Sequence, residues 1–372
     1  MNQHKIRILL VADTHLGFDL PFRPRVQRRR RGHDFFANFE RALKPAYQGD
    51  VDAVVHGGDL FYRSRVPPVL VDMAFDPLVD VADQGIPVYL VPGNHERSRI
   101  PLHLWSAHPN LYIFSEPETF HRGIKGLRVA FSGFPFARKI RDTFNDLVRE
   151  TRYQEIESDI RILCMHQTVE GAQVGPSNYT FRSGPDVIRG VDIPEDFAMV
   201  LSGHIHRAQI LTRDLKGRLL NAPVIYPGSV ERTSFAERKE EKQFVIVEAV
   251  RDDSSKGVLD KSTFTPLPAR PMVTLRVDMD GMQAAGVNQL LRKKLSEISE
   301  DAIVRIHPHG QMTEEIQQII SANHLRSISP ASMNISVRIP RDLKDKTTRS
   351  SRSISTDKLI FNGPIDKASD DK

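Results

Sequence analysis

Leu201-Ser202-Gly203-His204-Ile205-His206 closes a short apolar run that begins at Phe197, and it places two histidines one residue apart directly after a glycine. On extended backbone the side chains at i and i+2 point the same way, so the two imidazoles stand side by side at a strand end. One cation could take both, or two could share them. Taken alone, the pair reads as readily as two polar loop residues. Four further apolar runs end alike. Ile6 to Ala12 leads into Asp13-Thr14-His15, Ala53 to Gly58 into Asp59, Val88 to Gly93 into Asn94-His95, and Ile160 to Met165 into His166. Independent solvated loops would close such runs with any polar residue at all. Five runs that stop at Asp, Asn or His point to one shared metal site at the ends of sheet strands.

Composition sets the frame for that site. A chain of 372 residues has room for one large domain and a smaller one. A hydrophobic fraction of 40% and a charged fraction of 27% suit a soluble globular protein, and no apolar run approaches a membrane span. Met1 to Lys5 leads into a strand rather than an apolar signal segment, and a cytoplasmic location without membrane association is expected. The single cysteine, Cys164, lies inside the run before His166; it can form no internal disulfide and reads as a small core hydrophobe. The formal net charge of +5 is mildly basic, and much of the excess sits in Arg23, Arg25, Arg28, Arg29, Arg30 and Arg31. That cluster is either a solvated loop or an arm that contacts phosphates at the rim of the metal site. Its departure directly from the Asp13–His15 strand end favours the arm.

In chain order, Ile6 to Ala12 is almost wholly apolar, as a strand buried on both faces would be. A helix is predicted from about His33 to Tyr47, with Phe36, Phe39 and Leu43 at helical spacing toward the sheet. Val66-Pro67-Pro68 opens a second helical region, in which Asp76-Pro77 reads as a kink or a fresh start. Short strands at Leu111–Phe114 and Leu127–Ser132, a helix at Ala137–Thr151 and the strand before His166 follow. After His206 come strands at Ala208–Thr212, Pro223–Tyr226 and Gln243–Val250. The first part is βαβα and the second mostly β, which predicts an α/β fold of two mixed sheets packed face to face with helices outside.

Residues 1–265 are expected to form this domain. The Pro-rich stretch Thr265 to Pro271 then leads to a smaller α+β unit over 271–340. It is read as strands at Met272–Val277, Ala302–Ile306 and Met333–Ile339 with helices at Met282–Ile298 and Met312–Asn323. The stretch 341–372, rich in Lys, Ser, Thr and Asp, is expected to be a flexible tail.

Asp, His and Asn without a thiolate suit Mn²⁺, Fe²⁺ or Zn²⁺ and not a structural Cys-rich zinc. A carboxylate flanked by two sets of ligands can bridge two ions roughly 3.5–4 Å apart. Asp59 fits that role best, because the paired glycines before it allow close approach. Two such ions hold and deprotonate a water, aim it at phosphorus and neutralise the phosphate oxygens, which is the chemistry of phosphoester hydrolysis.

The succession Asp13-x-His15, Gly57-Gly58-Asp59, Gly93-Asn94-His95-Glu96, isolated His166 and Gly203-His204-x-His206 resembles the calcineurin-like metallophosphoesterase superfamily. The resemblance implies a four-layer αββα fold with two divalent metal ions. It assigns Asp13, His15, Asp59 and His206 to one ion, and Asp59, Asn94, His166 and His204 to the other. His95 would bind no metal but contact the phosphate and help protonate the leaving oxygen; the alternative is that it merely supports a ligand.

Within the superfamily the chain is most similar to SbcD-type DNA repair exonucleases. That similarity rests on Asp13 to Gly17, Gly58 to Phe61, His166-Gln167, Tyr226 to Arg232, and Arg270-Pro271 followed by a small capping domain. It implies a Mn²⁺-dependent DNA nuclease, an SMC-like ATPase partner of the SbcC type, and a family precedent for homodimers. Two other readings stand beside it: a phosphodiesterase or phosphatase on a non-DNA substrate, and a DNA-binding subunit with weak catalysis. Two positions depart from the family pattern. Tyr62 stands where a second active-site histidine is common, and Glu96 where Asp is common.

Overall fold

A computed structural model describes residues 5–19, 29–96, 108–252 and 256–338. The chain opens with strand β1 (Lys5–Val11), helix α1 (Gly32–Tyr47), β2 (Ala53–His56), α2 (Pro68–Asp83), β3 (Val88–Leu90) and β4 (Leu111–Ile113). It continues with β5 (Glu118–Ile124), β6 (Leu127–Gly133), α3 (Ile140–Glu150) and β7 (Ile160–Met165). Four two-residue strands follow, β8 (Thr168–Val169), β9 (Gln173–Val174), β10 (Tyr179–Thr180) and β11 (Val187–Ile188). Then come β12 (Met199–Ser202), β13 (Gln209–Arg213), β14 (Leu219–Tyr226), β15 (Lys242–Val250) and β16 (Val258–Leu267).

The longer of these strands form two six-stranded mixed sheets, ordered β16-β15-β1-β2-β3-β4 and β13-β14-β12-β7-β6-β5. Alternation along single strands shows how they stack. Ile6, Ile8 and Leu10 of β1 join Ile160, Ile162 and Cys164 of β7 in one apolar cluster between the sheets. The intervening Leu9 and Val11 face Phe35, Phe39 and Leu43 of α1 and the buried face of α2. Leu163 and Met165 face Ile140, Phe144 and Val148 of α3. Three apolar layers separated by two sheets make the four-layer αββα arrangement expected from the sequence.

Among the helices, two details differ from the sequence expectation. One helix passes through Pro77 rather than starting afresh there, held by its buried residues Leu70, Ala74, Phe75, Leu78 and Val81. The predicted helix Met312–Asn323 is two short ones, α5 (Glu314–Ile319) and α6 (Ala322–Ser327). Each has its own cap, with Thr313 and Ser321 accepting the N–H groups of Ile316 and His324.

The chain separates into two compact units. The first contains both large sheets. The second comprises 274–298, 304–329 and, of the described residues, 335–338, and carries α4 (Ala284–Ser296), α5 and α6; the tail expected over 341–372 lies outside the described residues. A three-stranded sheet, β17 (Met272–Asp278), β18 (Ile303–His309) and β19 (Asn334–Val337), has most of its residues there.

The parallel strands of both large sheets end together. Val11 pairs with His56 and His56 with Leu90, while Ser202 pairs with Met165. The two sheets meet backbone to backbone just beyond, where a Cβ added to Gly203 would lie 2.3 Å from the Gly57 carbonyl oxygen. Gly203→Ala is therefore expected to destabilise the protein by about 1–3 kcal/mol, the usual scale of overpacking, read as a lower melting temperature. An unchanged melting curve would mean that the sheets can separate there freely.

Candidate metal centre

The site is built from the loops that leave these strand ends. After β1, the N–H groups of Asp13 and His15 donate to the carbonyls of Gly58 and Asp59 at 2.8 and 3.0 Å, which holds the first two loops side by side. Thr14 donates its hydroxyl to the Leu60 carbonyl at 3.0 Å and sits 3.1 Å from buried His56. Glu96 joins the third loop: its carboxylate accepts the N–H groups of Asp59, Phe61 and Gly93 at 3.1, 2.7 and 2.7 Å. The longer acid thus reaches the backbone on both sides of the Asp59 turn. Across the sheets, the Asp13 carboxylate accepts the His204 N–H at 3.0 Å.

Asp13, His15, Asp59 and His204 all have positive φ, at 51°, 45°, 54° and 81°. Non-glycine residues seldom adopt this conformation, and it gathers where side chains are held for function.

Hydrogen bonds at the far side of the His166 and His206 rings fix which nitrogen faces inward. His166 Nδ1 donates to the Gly57 carbonyl at 2.7 Å, leaving Nε2 3.1 Å from Asn94 Oδ1 and 3.5 Å from Asp59 Oδ2. His206 Nδ1 faces Glu237 Oε1 at 3.3 Å, and its Nε2 lies 2.9 Å from His15 Nε2. His204 Nδ1 is 2.9 Å from the same Asn94 oxygen. His15 Nδ1 is buried without a hydrogen-bond partner.

Donor atoms of Asp13, His15 and His206 lie within 4.8 Å of one another, as do those of Asp13, Asp59 and His166, and those of His15, Asp59 and His95. Carboxylate, amide and imidazole atoms with lone pairs turned toward each other at these spacings fit divalent cations. The expected ligand types are therefore brought together, and Asp59 belongs to two of the three groups.

Electrostatics divide the rings: although burial opposes it, the Asp59 charge and hydrogen bond draw His166 up to about 9 and Glu237 raises His206, while His15 and His204 move the other way. Burial pushes His15 well down, and burial, then His166, pushes His204 to about 3, leaving both rings neutral as metal ligands must be. Although burial opposes it, the charge of His166 and its hydrogen bond hold the Asp59 carboxyl well below the usual range.

Asp13, His15, Asp59 and His166 are buried, whereas the side chains of His95 and His206 are 32% and 28% exposed. The centre opens on that side. His95 Nδ1 donates to the Tyr62 carbonyl at 2.5 Å and its Nε2 is 3.7 Å from Asp59 Oδ2. The Tyr62 ring lies 5.9 Å from His15 and 5.8 Å from His95, in the same wall.

Half of the arginine cluster is described, and within it Arg31 departs from its sequence reading. Arg23, Arg25 and Arg28 lie outside the described residues. Arg29 pairs with Asp34 and Arg30 with Asp19. Arg31 is only 9% exposed, lies 4.7 Å over the Phe18 ring and donates to the Arg232 carbonyl. It is an internal strut, held by aromatic and carbonyl partners, and not part of an exposed arm.

The support behind His206 has no signature in the sequence. Glu237, in a single 3₁₀ turn, also accepts the Thr233 hydroxyl at 2.6 Å and pairs with fully buried Lys242 at 2.6 Å. Lys242 in turn donates to Ser229 and to the His206 carbonyl. No spacing connects these residues to His206; only the tertiary fold does.

Comparison with known proteins agrees with this geometry. Residues 6–208 match the family described as calcineurin-like phosphoesterase. The DNA double-strand break repair protein Mre11 of Haloferax volcanii is 29% identical over 308 residues, which cover 82% of this chain and 62% of that protein. The Methanopyrus kandleri protein of the same name is 26% identical over 249 residues, 64% of this chain and 51% of its own length. This chain thus spans roughly half to three fifths of those relatives. Among solved structures, a dimetal phosphatase from Danio rerio is 13% identical with a TM-score of 0.40, covering 72% of this chain and 100% of that one, a likeness too low to bear on function. The family match takes in more than half of the 372 residues and every residue of the centre from Asp13 to His206, so the chain belongs to the calcineurin-like phosphoesterase family.

Proposed function

We propose that the chain is a metal-dependent phosphodiesterase whose substrate is DNA, and that it acts as the nuclease subunit of a repair complex. The observation that carries the catalytic part is the convergence of Asp13, His15, Asp59, Asn94, His166, His204 and His206 at the joined ends of two sheets. Likeness to the Mre11 proteins, named for DNA double-strand break repair, supports the substrate. Asp13, His15, Asp59 and His206 would hold one ion, and Asp59, Asn94, His166 and His204 the other, with Mn²⁺ as the proposed metal. The SbcC-type ATPase partner, the homodimer and the cytoplasmic location belong to this reading, as does a capping role for the second unit. Among the described residues no helix is long and apolar enough to cross a membrane.

When bound, the ions supply positive charge to the phosphoryl oxygens and lower the pKa of water. The chain's own residues do the rest. The Gly57 carbonyl turns the His166 Nε2 inward, and the Glu237 carboxylate does the same for His206. His95, steered by the Tyr62 carbonyl, keeps Nε2 at the open side to hold and deliver a proton to the leaving oxygen.

The test is incubation with Mn²⁺ and end-labelled single- and double-stranded DNA beside bis-p-nitrophenyl phosphate. Hydrolysis of the small diester alone would overturn the DNA assignment, and hydrolysis of neither would overturn the catalytic one.

The support behind His206 has its own readout. Removing Glu237 alone would leave the buried Lys242 charge only the more distant Glu240 carboxylate at 3.7 Å, so the informative variant is Glu237→Gln with Lys242→Met. Metal affinity is expected to fall about 10–100-fold with the fold kept. Titration calorimetry with Mn²⁺ and circular dichroism check this; unchanged affinity would leave Glu237 a purely structural residue.

A further inference from the structure

Two aromatic rings wall the open metal centre, and the chemistry derived above uses neither of them. Tyr62 follows Phe61 in the loop that leaves β2. Its N–H donates to the Leu16 carbonyl at 3.0 Å, and its ring meets Phe18 edge-on at 4.8 Å, which fixes it 5.9 Å from His15 and 5.8 Å from His95. Phe136 comes from the other sheet, in the loop after β6. Its N–H donates to the Pro92 carbonyl at 2.8 Å, and the Ala137 carbonyl accepts the buried Gln167 amide at 3.1 Å. The segment is thereby tied to the loops that carry Asn94 and His166. Its ring lies 6.1 Å from His166 and 5.6 Å from His204.

One ring thus stands beside each half of the ligand set. Tyr62 neighbours His15, which the proposed assignment gives to the first ion, and Phe136 neighbours His166 and His204, which it gives to the second. Both side chains are half-buried. Tyr62 packs against the layer beneath α1 and α2, but among the described residues Phe136 belongs to none of the three apolar layers, so core packing does not account for it. Cations accompany both rings. Arg63 and Arg65 are exposed directly after Tyr62, with the Arg63 guanidinium 5.8 Å from the centre of the Tyr62 ring. Arg138 and Lys139 are exposed just beyond Phe136.

We propose that Tyr62 and Phe136 are stacking platforms for the nucleobases on either side of the scissile phosphodiester, which makes them specificity-determining residues of this centre. A centre that grips the phosphoryl group leaves the sugar and base of each neighbouring nucleotide to the walls, and binding sites commonly join a few polar groups to aromatic walls in this way. Flat rings beside cations suit a single strand whatever its sequence, because every base has a π face and every link a negative charge. An acidic protein segment would satisfy the cations but bring nothing flat to the rings. The rings therefore select for bases, not for phosphate alone.

The inference rests on the reading of DNA as substrate and names what the site recognises beyond phosphate. The test uses the full chain and compares a labelled single-stranded oligothymidylate with its fully abasic counterpart, by fluorescence anisotropy without metal and by kcat/KM with Mn²⁺. The wild-type chain is expected to prefer the strand with bases in both. In Phe136→Ala that preference should shrink by roughly 5–150-fold, the worth of one stacked base at about 1–3 kcal/mol. Phe136→Leu, apolar but without a π face, should lose as much, and Phe136→Trp should keep the preference. Tyr62→Leu and Tyr62→Phe should divide in the same way. If the wild-type chain shows no preference for bases, or the Ala and Leu variants retain it, the stacking role is overturned while the nuclease reading stands. An equal loss on both strands, with weaker Mn²⁺ binding by calorimetry, would make the rings supports of the ligands and overturn it too. If the wild-type chain neither binds nor cuts either strand, the reading of the substrate falls and the proposal with it. Faster hydrolysis of a phosphotyrosine peptide than of DNA, lost in the Leu variants, would assign the rings to a phosphoaryl group and overturn the proposal as well.

Discussion

Asp59→Asn is expected to yield protein that folds but holds fewer than two metal ions, with hydrolysis lowered by at least about 10²–10³, the scale of losing one electrostatic stabiliser at a reacting centre. Asp59 is 2% exposed and contributes to two of the three groups of converging donor atoms. Its Oδ1 accepts the His95 N–H at 2.9 Å, and its Oδ2 lies 3.5 Å from His166 Nε2 and 3.7 Å from His95 Nε2. An amide preserves the shape and one acceptor oxygen but removes the negative charge that would lie between the two proposed cations. Their mutual repulsion would then be uncompensated in a buried setting, where charges are weakly screened. Metal analysis by plasma spectrometry beside initial rates with Mn²⁺ checks this. Two tightly held ions in the Asn variant would show that Asp59 does not bridge.

His95→Asn should separate holding the metal from using it. The ring is the more exposed side chain beside the ligands, oriented by the Tyr62 carbonyl, and its loss should leave two ions bound while turnover falls about 10²–10⁴-fold. The same geometry would also serve a ligand, because His95 forms a group with His15 and Asp59. Metal content decides between them. A variant that empties of metal makes His95 a ligand or its support, and one that stays fully active moves the proton donor elsewhere, with Tyr62 the next side chain to substitute.

The strand ends were legible because each buried parallel strand is a continuous apolar run, and such a run makes the first ligand-type residue after it conspicuous. Edge strands gave no such signal. In β5, Phe120 is the one large apolar side chain from Glu118 to Gly123, all of them half-exposed or exposed, and no apolar run marks the strand until β6 pairs with it. In β16 the ladder to β15 continues through Pro266, which is tolerated because β16 lies at the sheet edge. The seven candidate ligands could be located from pattern and resemblance together, whereas Glu237 and Lys242 could not, since their positions behind His206 depend on where β15 begins. Arg31 was misplaced for a related reason: a run of arginines looks solvated until Phe18 and the Arg232 carbonyl are seen around one of them.

The contact between Gly57 and Gly203 closes the floor of a site whose candidate ligands come from both sheets: Asp13, His15, Asp59 and Asn94 from one, His166, His204 and His206 from the other. A cation that needs both sets can bind only where the sheets are docked, so binding and docking are thermodynamically linked. At a hundred times its dissociation constant, one such ion adds about 2.7 kcal/mol to the stability of the docked state. That is comparable to a substantial share of the 5–15 kcal/mol by which domains are usually stable. Free metal concentration would then set not only how fast the centre works but how wide a margin of stability holds the two sheets together.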